Sequence, residues 1–221
     1  MKRALPYLFP TLGSVLLAAL LAGTYAMGPR MLNIDGDLGR HLTIGAYILD
    51  TRSIPTTDIF SHTMTGEALT PHEWLSQTLF ALTYRWLGLS GPVLLAALCI
   101  SFAIWLRYRT ALAKSGSLLA ALICTIIGMA ASSLHWLTRP HIFTFLLLAI
   151  WLGGLEQMRK GGRRPLRAWI WMPGLMLVWA NLHGAFIAGF AVWLLYGLSV
   201  AWDRWVEPGG AGVDRGFWRP Y

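Results

Sequence analysis

Apolar residues along this chain fall in long unbroken runs, not in the alternation of a half-buried strand or the narrow stripe of a water-facing helix. Runs of about 20 residues match the hydrocarbon thickness crossed by one helix. The pattern predicts six crossings: about Leu5 to Met27, Pro92 to Leu106, Ser117 to Leu137, Ile142 to Met158, Trp169 to Asn181 and Ala185 to Trp202. The fifth is short, so it either extends beyond its apolar stretch or meets the sixth near Asn181 to Gly184 below the membrane surface, where non-helical backbone needs protein or water around it. The expected fold is all-α: a polytopic helical membrane protein whose transmembrane domain covers residues 1–202, followed by a tail of loop composition, 203–221.

The long segment 28–91 has its own pattern. Asp35 is placed to cap a helix from Gly36 to about Leu49, with Leu38, Leu42, Gly45, Ile48 and Leu49 as an apolar stripe suited to the membrane surface. Pro55 stops it, because proline restricts the residue before it to extended conformations. Thr65-Gly66-Glu67 reads as a turn between two short extended stretches. Pro71 then opens a second helix, about His72 to Leu89, with Trp74, Leu75, Leu79, Leu82 and Trp86 on one side. Two juxtamembrane helices are thus predicted in the first outer loop.

Composition agrees: 56% of residues are hydrophobic and only 13% charged, against roughly 25% charged in an average soluble domain. The net charge of +8 would suit a nucleic-acid partner in a soluble chain. Its placement argues otherwise. Lys2 and Arg3, then Arg107, Arg109 and Lys114, then Arg159, Lys160, Arg163, Arg164 and Arg167 all flank apolar runs, as the positive-inside rule requires. A cytoplasmic N-terminus puts these and Arg204, Arg215 and Arg219 inside, leaving Arg30, Arg40, Arg52, Arg85 and Arg139 outside. The same assignment puts Asp35, Asp37, Asp50, Asp58, Glu67 and Glu73 outside, with His41, His62, His72, His135, His141 and His183 at or near that face. The first run is too long for a signal peptide and reads as an uncleaved anchor. Cys99 and Cys124 lie inside apolar runs and offer no disulfide framework.

Four constellations can carry chemistry. In Asp35-Gly36-Asp37, with His41 one helical turn beyond Asp37, two carboxylates and an imidazole suit either a divalent cation or general-base work. The same residues also read as a cap, a first-turn helix charge and a wetted interfacial histidine. His72 and Glu73 open the second juxtamembrane helix, where Glu favours the positive helix end, or face the Asp35 region if the loop folds back on itself. Arg139-Pro140-His141, preceded by His135, marks the outer junction of the third and fourth spans. An arginine there can fork onto a phosphate, or the junction is an interfacial turn anchored by Trp136. Asn181-Leu182-His183-Gly184 puts an amide and an imidazole into a long apolar stretch, where they pair across helices or line a cavity.

Taken in order, D-G-D-L-G-R-H-L (35–42), I-P-T-T-D-I-F-S (54–61), E-W-L-S-Q (73–77), R-P-H (139–141) and W-A-N-L-H-G (179–184) resemble the N-terminal half of bacterial membrane proteins of the GT-C glycosyltransferase superfamily. These are related to protein mannosyltransferases and the lipid A aminoarabinose transferase, and the resemblance covers about residues 1–202. It implies a bacterial inner-membrane enzyme with an extracytoplasmic active site, taking sugar from a polyprenyl-phosphate donor by inverting displacement. Asp35 and Asp37 match the acidic position that serves as base or metal ligand in the superfamily. His41, His72, Glu73, Arg139, His141, Asn181 and His183 are then substrate-binding candidates, with Asp35, Asp37 and His41 as ligands if a divalent metal is used. Relatives commonly continue for several more spans, so the resemblance also implies reliance on further membrane segments or a second subunit. The rival expectation is a non-catalytic membrane scaffold or transporter-like protein whose polar groups tie helices together.

Overall fold

The computed structural model describes residues 11–34, 36–159 and 165–206. Of the residues singled out above, Lys2, Arg3, Asp35, Lys160, Arg163, Arg164, Arg215 and Arg219 lie outside the described residues, as do the side chains of Arg167 and Arg204. The regular elements of the described residues are helices: α1 Leu12–Ala26, α2 Gly28–Asn33, α3 Asp37–Thr51, α4 Trp74–Leu87, α5 Ser90–Ser115, α6 Leu118–Ser132, α7 His141–Arg159, α8 Pro165–Leu182 and α9 Ile187–Val206. Among the described residues four helical stretches are long and apolar enough to cross a membrane: Ser90–Ser115, Leu118–His135, His141–Arg159 and Gly184–Trp202. Leu12–Ala26 and Ile170–Leu182 are apolar but shorter.

Local chemistry sets the boundaries. Thr11 caps α1, its Oγ1 accepting from Ser14 N at 3.2 Å. Pro29 stands in the first turn of α2, where its missing N–H removes no helical hydrogen bond. α4 stops at Gly88 (φ 59°) and α5 at Gly116 (φ 62°), backbone conformations that glycine adopts without a Cβ penalty. α5 outruns its predicted apolar span by nine residues at its end (Leu106 to Ser115), carrying Arg107, Arg109 and Lys114 within the helix. Apolarity bounds the part in lipid; hydrogen bonding continues the helix beyond it. The loop before α4 departs from the two expected extended stretches. Among the described residues only a single bridge forms, Thr57 to Ala68, around the turn at Gly66 (φ 90°).

The α3 stripe holds at Leu38, Gly45 and Ile48, and the side of α4 that packs is not its most apolar one. α3 buries Leu38, His41, Ile44, Gly45 and Ile48, so the imidazole shares the stripe. α4 buries Ser76, Gln77, Phe80 and Ala81, whereas of its large apolar residues Leu75 and Leu79 are half-buried and Trp86 is 73% exposed. The small and polar side of α4 faces α3 because the backbones approach closely there: a Cβ on Gly45 would lie 2.0 Å from Gln77 O. α3 and α4 therefore pack on one another as a pair.

The buried core runs through Met31, Phe80, Ile100, Ile142, Phe143, Trp151 and Trp179. α6 and α9 contribute little to it and expose Leu119, Ile126, Ile127, Leu194, Leu195 and Leu198. Exposed apolar area on this scale suits lipid, not water. At the end of the bundle carrying the basic residues, Glu156 Oε1 accepts from Lys114 Nζ at 2.7 Å and from Tyr196 OH at 2.8 Å, tying α5, α7 and α9.

Candidate functional site

The opposite end of the bundle gathers the polar residues. Asp37 opens α3 behind Gly36, which offers no side-chain cap, so the capping role expected of Asp35 lies outside the described residues. Thr138 fixes the turn between α6 and α7: its backbone N–H and its hydroxyl both donate to Met31 O of α2, at 3.3 and 3.2 Å. That clamp presents the next residue, Arg139, whose Nη2 forms an ion pair with Asp37 Oδ2 across 102 residues of sequence. Both side chains of this pair are partly exposed. His141 then starts α7, its Nε2–H donating to His135 O at 2.5 Å.

A second group completes this end. Trp74, at the start of α4, donates its indole N–H to Asn181 Oδ1 at 2.7 Å, and Asn181 Nδ2 donates to Leu177 O at 2.8 Å. His183, between α8 and the three-residue 3-10 turn Gly184–Phe186, places its Nδ1 2.9 Å from Thr144 Oγ1. Trp179 Nε1 donates to the same oxygen at 2.9 Å. On the other edge of the ring, His183 Nε2 lies 3.6 Å from Glu73 Oε1. The His141 and His183 rings are 6.3 Å apart, and a Cβ on Gly184 would lie 3.9 Å from His72 Cδ2.

The electrostatics follow from this packing. Burial raises the Glu73 carboxyl above its usual range, opposed by the positive charges of His72 and Arg40. Burial also lowers His183, with His141, His72 and Arg139 adding positive neighbours, to about 4. Near neutral pH the imidazole is uncharged, so it meets Glu73 as a dipole and not as a cation.

Asp37, His72, Glu73, Arg139, His141, Asn181 and His183 thus come to one end of the bundle. His41 is placed differently from the wetted position expected of it. It is 1% exposed, lies 3.5 Å from Gln77 Nε2, and has its ring 6.3 Å from that of Phe80, inside the α3–α4 interface. Among the described residues no group of three or more His, Cys, Asp or Glu is arranged to hold a metal ion. His62 is exposed on the loop. Asp58 serves that loop, accepting from Phe60 N at 2.8 Å, Ser61 N at 2.9 Å and Ser61 Oγ at 2.7 Å; the Ser61 hydroxyl leads in holding its carboxyl below the usual range. Sequence reasoning missed Thr138, Thr144 and Trp179. The local signals were a hydroxyl three residues after His141 in an apolar run and the tryptophan that opens W-A-N-L-H-G (179–184). A groove of about 480 Å³, lined by Trp151, Met172, Met176, Ala180, Phe186 and Phe190, adjoins the site where Ala180 and Phe186 flank His183.

The fold defines the class as a helical protein with several helices suited to a membrane. Comparison with family profiles, curated proteins and solved structures returns no match.

Proposed function

We propose that the chain is a GT-C-type glycosyltransferase of a bacterial inner membrane, moving a sugar from a polyprenyl-phosphate carrier to an extracytoplasmic acceptor by inverting displacement. It crosses the membrane six times from a cytoplasmic N-terminus, the shorter helices α1 and α8 serving as the first and fifth crossings. The observation that carries this reading is the convergence of Asp37, Glu73, Arg139, His141, Asn181 and His183, from four separate stretches of chain, at one end of an otherwise apolar bundle. Ionisable groups at membrane depth are costly and are retained where they line a functional cavity. Arg139 meets the leaving phosphate, and Asp37 holds the guanidinium and orients the acceptor. The apolar groove beside His183 takes the first isoprene units of the carrier.

The rival reading, a membrane scaffold, draws on the same ties: Trp74 to Asn181 and Thr138 to Met31 hold helices together whether or not chemistry occurs. The test uses membranes from cells expressing the full chain, supplied with a panel of labelled polyprenyl-phosphate sugars. Asp35→Asn, Asp37→Asn and Glu67→Gln are compared at matched protein levels, with and without chelator. Asp37→Asn should lower transfer by about a hundredfold or more, with Glu67→Gln near normal. Normal transfer by both Asp variants sinks the enzymatic roles of these carboxylates and favours the scaffold.

A further inference from the structure

Among the described carboxylates of the bundle, most are already engaged. Asp37 is paired with Arg139, Asp50 with Arg85 at 2.5 Å, Glu156 with Lys114 and Tyr196, and Asp58 with its own loop. Glu73 differs. It is the N-cap of α4 and makes no side-chain hydrogen bond to the helix it caps. Its carboxylate turns to the His183 ring with only 13% of the side chain exposed.

The ring is held by an unusual threonine. Thr24, Thr78, Thr83, Thr110 and Thr125 donate their hydroxyls to carbonyls of their own helices. Thr144 instead bonds Trp179 and His183. An indole N–H only donates, so Thr144 Oγ1 accepts from Trp179. Among the described residues the Thr144 hydroxyl has no other acceptor, so its own hydrogen goes to the His183 Nδ1 lone pair. That arrangement leaves the ring hydrogen on Nε2, the atom facing Glu73. At 3.6 Å the approach is just beyond a direct hydrogen bond, a gap typical of catalytic pairs before substrate closes the site.

We infer that Glu73 accepts the proton of the attacking acceptor, and that His183, fixed in one tautomer by Thr144 and Trp179, positions that carboxylate. This rests on the glycosyl-transfer reading above. In the step, the acceptor hydroxyl's electron pair forms the new bond to the anomeric carbon. The bond from that carbon to the carrier phosphate breaks, its electron pair leaving on the phosphate oxygen beside Arg139. The acceptor's proton passes to a Glu73 oxygen. Burial raises the basicity of Glu73 against the opposing pull of His72 and Arg40, and burial beside His141, His72 and Arg139 holds His183 neutral. His183 is therefore a positioning residue and Glu73 the base.

The test is a carboxyl-stretch infrared titration of the full chain in lipid nanodiscs, with the Glu73 band assigned by its loss in Glu73→Gln. The same variants are assayed for transfer in membranes. A glutamine side-chain nitrogen occupies the place of His183 Nε2, so His183→Gln keeps the donor while His183→Leu loses it. Thr144→Val frees the ring to take the other tautomer. The Glu73 titration should move up by about one pH unit in His183→Leu and Thr144→Val and stay in place in His183→Gln. Transfer should fall about a hundredfold or more in Glu73→Gln and recover in His183→Gln relative to His183→Leu. An unmoved titration in all three variants overturns the positioning role, and near-normal transfer by Glu73→Gln overturns the base. If wild-type membranes transfer no sugar from any donor, the glycosyl-transfer reading and the base role fall together, and the titration still decides the His183–Glu73 pair.

Discussion

Two glycines on α3 undergo the same substitution with opposite expected signs. A Cβ on Gly45 would lie 2.0 Å from Gln77 O, 2.5 Å from Gln77 C and 2.8 Å from Ala81 Cβ. The nearest obstacles are backbone atoms of α4, which cannot rotate away. Ordinary contact begins at 3.4 Å, so 3.4 − 2.0 leaves 1.4 Å that must come from moving one helix against the other. Overpacking of this kind destabilises by about 1–3 kcal/mol, and about 2 kcal/mol corresponds to a fall of roughly 4–8 °C in melting temperature for a chain of this size. At Gly39 a Cβ meets nothing within 4 Å. Gly39→Ala should therefore stabilise by up to about 1 kcal/mol through helix propensity alone. The separation of α3 from α4 also sets Asp37 and Arg40 relative to Glu73, so Gly45→Ala should depress transfer while Gly39→Ala leaves it intact. The assay is thermal melting of purified protein in lipid nanodiscs, followed by helicity, beside transfer in membranes. A Gly45→Ala protein that melts at or above the wild-type temperature refutes the close α3–α4 approach.

Two further outcomes are expected. Burial holds His183 down to about 4; a depressed value leaves its contribution to stability fully present above pH 6.5 and loses it as pH falls toward 4. The raised Glu73 acts in the opposite sense and regains part of it on acidification. Melting of wild type should therefore fall more steeply than that of His183→Gln between pH 6.5 and 4.5, and parallel curves would show that His183 is not buried neutral. For orientation, Thr70→Cys and Ser115→Cys in a Cys124→Ala background should differ in intact cells, with an impermeant maleimide labelling position 70 and not position 115. The reverse pattern would invert the proposed topology.

Helix positions were legible because each uninterrupted apolar run is itself long enough to hold a helix. Asp37, Glu73, Arg139 and His183 were legible as polar residues that lipid would reject. What spacing could not supply was partnership. Arg139 and Asp37 are 102 residues apart, Trp74 and Asn181 107, and Thr144 and His183 39, and no local periodicity encodes such pairs. Thr138, Thr144 and Trp179 have the composition of ordinary span residues and gain their roles only from what folds against them. The packing side of α4 was not legible for a related reason: its apolar side is visible in the spacing, but the small and polar side, Ser76, Gln77 and Ala81, is the one that packs on α3.

Those long separations also order events during biosynthesis. His41 and Gln77 are 36 residues apart, so α3 and α4 can dock soon after both have emerged from the ribosome. Asp37 must wait for Arg139 and Trp74 for Asn181, about a hundred residues each, roughly 5–20 s at ordinary elongation rates. Glu73 does not meet the His183 ring until α8 has been inserted. A chain stalled before that point already pairs Asp37 with Arg139 but carries the Glu73 carboxylate without the His183 ring.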